Sequence, residues 1–127
     1  MAYLADTHAI LWYFDGDAAL SDTARTALEH TEEKVFISVA SLWEISIKLS
    51  LKKLRLRSTL HRMLEELLHG GFDLLPITAN HALQVADLPM NHRDPFDRLL
   101  IVQARDYGLT VITRDAAFSE YDVQLLW

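Results

Sequence analysis

A chain of 127 residues, half of them hydrophobic and 24% charged, has the length and balance of one globular domain with one core and no disordered signature. With no cysteine, disulfides and thiolate metal sites are excluded and a reducing cytoplasm is comfortable. The net charge of −6 argues against a passive nucleic-acid coat, no apolar run approaches the ~18 residues of a membrane span, and the N-terminus lacks the pattern of a secretory signal.

In chain order, residues 2–5 form a short apolar run ending at Asp6, the pattern of a buried strand with an acid at its carboxyl end. Residues 7–14, rich in large apolar side chains, predict a helix stopped at Asp15-Gly16-Asp17. Ser21 has the character of an N-cap for a helix over 22–30. After the polar Thr31-Glu32-Glu33, residues 34–39 are β-branched and apolar and predict a second strand.

Residues 42–56 carry two patterns. Ile45, Ile47, Leu49 and Leu51 alternate as in a strand, yet Leu42, Ile45 and Leu49, with Trp43, Ile47, Leu51 and Leu54, make two helical stripes. The run is too long for an ordinary strand, and Ser41 with Glu44 has the spacing of a capping box, so helix is predicted. Its apolar surface is wider than one core needs, which suggests a partner or a dimer.

Ser58 is the expected cap of a helix over 58–69 that ends at Gly70-Gly71. A third strand over 72–77 and a short helix over 78–88, ended by Pro89, follow. Asp94-Pro95 then has the form of N-cap and first helical position, opening a helix to Tyr107 with Gly108 as its stop. Residues 109–113 predict a fourth strand and 121–126 a final edge strand. Alternation of strand and helix predicts an α/β protein: a three-layer α/β/α sandwich around a mainly parallel sheet of four to five strands, one domain over residues 1–127.

In such sheets ligands gather at the carboxyl edge. Asp6 ends the first strand, Asp115 follows the fourth, and Glu44 and Asp97 lie in the first turns of two helices, so one rim collects all four acids. Together they repel strongly unless a hard dication joins them, and oxygen ligands without cysteine indicate Mg²⁺ or Mn²⁺. The chemistry served by that set is phosphodiester hydrolysis. Each acid also has a purely structural role open to it: Asp94 and Asp6 as caps, Asp97 as a first-turn acid, Glu44 as the reciprocal member of a capping box, Asp115 in an Asx-turn. His8 and His92 lie near the rim and stay outside the core set. Six of the twelve Lys and Arg residues fall between Lys48 and Arg62, a basic block on an acidic protein.

The chain resembles the PIN-domain family, and within it the VapC-type toxins of bacterial toxin–antitoxin pairs. The likeness is carried by Leu4-Ala5-Asp6-Thr7-His8-Ala9-Ile10-Leu11-Trp12, Ser38-Val39-Ala40-Ser41-Leu42-Trp43-Glu44-Ile45, His92-Arg93-Asp94-Pro95-Phe96-Asp97-Arg98-Leu99-Leu100-Ile101 and Thr113-Arg114-Asp115. It implies the α/β/α fold, a helix over 42–56, a Mg²⁺- or Mn²⁺-dependent endoribonuclease, a cognate antitoxin and a homodimer. The family's four acids fall on Asp6, Glu44, Asp97 and Asp115, with Asp94 auxiliary to the metal site. Lys48, Lys52, Arg93, Arg98 and Arg114 are the expected contacts to RNA phosphates. Two other functions fit the same residues: a metal-dependent nuclease of DNA or flap structures, and a non-catalytic module that dimerises or holds a partner.

Overall fold

The computed structural model describes residues 1–29 and 32–127. Among these residues five short strands, β1 (Tyr3–Ala5), β2 (Val35–Ser38), β3 (Asp73–Leu75), β4 (Thr110–Ile112) and β5 (Gln124–Leu126), form one sheet in the order β3-β2-β1-β4-β5. Every pairing is parallel. Among the described residues six helices flank it: α1 (Thr7–Asp15), α2 (Asp22–Glu29), α3 (Val39–Ser50), α4 (Leu60–His69), α5 (Ala79–Gln84) and α6 (Pro95–Tyr107). Residues His30 and Thr31, assigned to the second helix and the polar stretch after it, lie outside the described residues.

Successive strand residues point to opposite faces, and the sheet therefore supports two cores. Ala5, Val35, Ile37 and Ile112 pack with side chains of α1, α2 and α4, including Ile10, Leu28 and Met63. Leu4 and Val111 face the other way, onto Leu100, Ile101 and Ala104 of α6 and onto Phe118. Helix α3 bridges the layers, with Ala40 in the second core and Ile45 in the first. The three-layer sandwich is thus present, and its sheet is wholly parallel. No helix among the described residues is long and apolar enough to cross a membrane.

Helix ends follow local chemistry. Asp6 caps α1, and Gly16, at φ 64°, closes it by donating to the carbonyls of Trp12 and Tyr13. The left-handed backbone there suits a residue without Cβ. Asp94 and Gly108 (φ 65°) do the same for α6. Several predicted boundaries move. Ser38, not Ser41, caps α3, and its Oγ accepts from Ala40 N at 3.0 Å. Ser41 is instead buried against the α1 face, where its Oγ accepts from Thr7 at 3.0 Å, so the Ser41–Glu44 capping box does not form. The helix ends at Ser50 rather than running to 56: Lys52 adopts a left-handed φ of 58°, which turns the chain. Thr59, not Ser58, caps α4, accepting from Arg62 N at 3.1 Å. The predicted short helix over 78–88 is α5 followed by a 3₁₀ turn at Val85–Asp87.

Sheet order places the site. From β1 the chain goes outward to β2 and β3 on one side, then returns to β4 and β5 on the other, so adjacent connections diverge at β1 and β4. A crevice opens outside the carboxyl ends of such a strand pair. The first residues beyond those ends are Asp6 and Thr113-Arg114-Asp115.

Candidate active site

Asp6 stands where β1 hands over to α1. Its Oδ1 accepts from Ala9 N at 2.8 Å and its Oδ2 from the Thr113 hydroxyl, which bridges β1 to β4. Burial pushes the carboxyl above the usual range, against those two hydrogen bonds and the charge of His8, which pull it down. The same residue therefore caps α1 and lines the cleft at this edge.

The start of α6 supplies the second acid. Asp94 Oδ1 accepts from Phe96 N at 2.8 Å and from Asp97 N at 3.2 Å, which saturates the first turn and leaves the Asp97 side chain free to face the rim. Burial, then the neighbouring charge of Asp94, push Asp97 up to about 7. Glu44 and Asp6 add to the rise and His92 opposes it. Acids from β1, α3 and α6 thus act electrostatically on one carboxyl, the convergence expected at this edge.

Glu44 sits in the second turn of α3 and is 4% exposed. Its Oε2 pairs with Lys48 Nζ at 2.9 Å, while Oε1 is buried with no hydrogen-bond partner among the described residues. A buried acceptor left open costs about 1–3 kcal/mol and marks a place for a donor or cation. Asp115 is more exposed; its Oδ1 caps a 3₁₀ turn at Ala116–Glu120 through Ala117 N at 2.9 Å.

His92 lies between Asp97 and Asp115. Its Nε2 lies 3.0 Å from Asp97 Oδ2 and 3.4 Å from Asp115 Oδ2. Candidate ligand atoms of His92, Asp97 and Asp115 all lie within 4.8 Å of one another. Asp94 N donates to His92 Nδ1 at 3.3 Å, while the buried Nε2, though close to both carboxylates, makes no hydrogen bond among the described residues. Setting both histidines aside therefore missed one residue between the acids and, in His8, one lining the adjoining cleft. The available signal was the position of His92 two residues before the capping Asp94. Thr113 was missed as well, although it directly precedes Arg114-Asp115.

The basic residues divide. Arg98 is 5% exposed, and its guanidinium donates to the carbonyls of Val85, Leu88, Pro89 and His92 at 3.0–3.2 Å and lies 3.5 Å from Tyr121 Oη. It holds the loop before α6 and is not available to RNA, which corrects its assignment as a substrate contact. Lys48 is committed to Glu44 and places a positive charge at the edge of the acidic set. Arg93, Lys52 and Arg114 are exposed, and the Arg114 guanidinium lies 4.5 Å from the centre of the Trp12 ring.

The donor set suits a hard dication: Asp6, Glu44, Asp97 and Asp115 present oxygens, one of them orphaned and one carboxyl destabilised by its neighbours' charge. Fold and site together define a class, a parallel α/β domain with a carboxylate crevice at its switch point. The chain belongs to the PIN domain family, whose sequence model matches residues 3–124. The fold is similar to that of VapBC2 from Rickettsia felis bound to a DNA fragment from their promoter (16% identity, TM-score 0.72, 99% of this chain and 98% of that one). It is also similar to Mycobacterium tuberculosis VapC20, a sarcin-ricin loop cleaving toxin (18%, TM-score 0.70, 95% of each chain), and to a toxin-antitoxin complex from Klebsiella pneumoniae (19%, TM-score 0.69, 98% and 96%). At such identities the likeness is one of fold. No protein of curated function matches the sequence.

Proposed function

We propose that this chain is the toxin of a toxin–antitoxin pair, an endoribonuclease dependent on Mg²⁺ or Mn²⁺ that acts in the cytoplasm. The observations that carry the reading are the Asp97 carboxyl, pushed up to about 7 by burial, then by the charge of Asp94 and also by those of Glu44 and Asp6, and the candidate ligand atoms of His92, Asp97 and Asp115 within 4.8 Å of one another. Asp6 and Asp97 would hold the cation, and Glu44 and Asp115 would complete its shell or orient the attacking water; Asp94 shapes the first turn of α6. When bound, the cation supplies Lewis-acid polarisation of a phosphodiester and activation of water. Arg93, Arg114 and Lys52 steer the RNA by its phosphates. His92, held by Asp94 N and Tyr121, keeps Asp97 and Asp115 together.

The structural neighbours that are toxin–antitoxin complexes support an antitoxin partner. On this chain Trp43 and Leu51 are 59% and 58% exposed. With Ile47 and Leu54 they offer an apolar track for an antitoxin helix, and a basic side chain of that partner would compete with the cation for the carboxylates. A homodimer is the expected assembly.

The test expresses wild type, Asp6→Asn and Asp97→Asn and compares growth, folding by circular dichroism, and cleavage of RNA and DNA of equal sequence with Mg²⁺. Both variants should fold, permit growth and leave RNA intact. Unchanged toxicity in both overturns the site; cleavage of DNA in preference to RNA overturns the substrate class.

A further inference from the structure

Beside the carboxylates lies a cleft of about 270 Å³ lined by Asp6, His8, Trp12, Arg114 and Asp115. Its acidic wall is the cation site just described. The other wall is aromatic and cationic. Arg114 stacks on the Trp12 ring, Trp127 braces that ring edge-on at 5.8 Å, and His8 leans on it at 5.4 Å with the planes 38° apart. Trp12 and Trp127 pack against the first core, so the stack is anchored, while His8 and Arg114 remain exposed.

A dication needs oxygens and gains nothing from this wall. A bare phosphate needs positive charge and gains nothing from planarity. A nucleobase gains from both aromatic and guanidinium planes, and its own phosphate lies within reach of the same arginine. Contact with the Trp12 ring also restrains the guanidinium before any ligand arrives, which lowers the ordering cost of binding. We infer that this cleft is a nucleobase subsite, in which the base next to the scissile phosphate stacks on the wall formed by Arg114, Trp12 and His8. The subsite rests on the nuclease reading above and adds to it the part of the substrate other than its backbone.

The experiment titrates the wild-type chain, in Mg²⁺, with 5′-AMP, 5′-UMP and ribose 5-phosphate, followed by calorimetry and tryptophan fluorescence. Both nucleotides should bind tighter than the sugar phosphate, AMP by about tenfold, within the range for base–aromatic stacking. Arg114→Lys keeps the charge but loses the plane, so it should retain ribose 5-phosphate affinity while the nucleotide advantage shrinks; His8→Ala should also reduce it. Equal binding of all three ligands by wild type, no binding of any, or an undiminished nucleotide advantage in both variants overturns the subsite. The growth and cleavage assays judge the nuclease independently: persistent toxicity that Asp97→Asn abolishes, together with equal binding of the three ligands, rejects the subsite alone.

Discussion

Replacing Asp97 by Asn tests whether the carboxylates are crowded at the cost of stability. In the folded protein Asp97 is pushed from 3.8 to about 7, so between those pH values the folded state holds a proton that the unfolded chain has released. Stability contributed by the neutral carboxyl is therefore complete below about pH 4 and is lost as pH rises towards about 7. At roughly 1.4 kcal/mol per pH unit the ceiling is on the order of 4 kcal/mol, and partial hydration of the rim reduces it to about 2–4 kcal/mol. Asn cannot ionise, keeps an oxygen to face His92, and leaves the Asp94 cap untouched, since that cap binds only the backbone of residue 97. In excess EDTA at pH 8, Asp97→Asn should melt higher than wild type by about 6–15 °C, and the margin should fall to less than half at pH 5 and vanish only below about pH 4. Mn²⁺ should raise the melting temperature of wild type and not of the variant. A variant that melts no higher at pH 8, or that keeps the same margin at pH 5, refutes the reasoning.

Three further outcomes follow from particular contacts. Arg98→Ala removes the guanidinium from four carbonyls in the segment from Val85 to His92, of which Val85 and Pro89 keep bonds from Leu88 N and Tyr121 Oη, and should lower stability by about 3–5 kcal/mol in urea titration. Arg98→Lys should recover little of this, because a point charge cannot reproduce the fork. Glu44→Gln replaces a carboxylate by an amide whose NH₂ offers no lone pair, and calorimetry should show Mn²⁺ affinity lower by about tenfold with circular dichroism unchanged. Gly108→Ala forces a Cβ onto φ 65° at the end of α6 and should cost about 1 kcal/mol by chemical denaturation.

Local chemistry made much of the fold legible. Strand–helix alternation predicted the parallel α/β sandwich, and Asp94-Pro95 with Gly108 bounded α6 correctly, because a cap acts within one turn of its own residue. Asp6 and Asp115 declared themselves as acids at the ends of buried strands. Ser41 was misread for an equally physical reason. Its spacing to Glu44 satisfies a capping box, but Ser38 three residues earlier already occupies the cap, and only packing of α3 on α1 sends Ser41 to Thr7. Arg98 shows the same limit: nothing within a turn of it reveals that carbonyls from the preceding loop consume its donors.

What the sequence determined by itself was the class of fold and the inventory of oxygen donors. Tertiary structure decided their meeting: β4 beside β1 joins Thr113 to Asp6, and the loop before α6 carries His92 between Asp97 and Asp115. Caps and periodicity act over three or four residues and are written in the order of the chain. Charge repulsion and burial act through space, so Asp97 is pushed up first by its burial, then by Asp94, and also by acids as distant in sequence as Glu44 and Asp6.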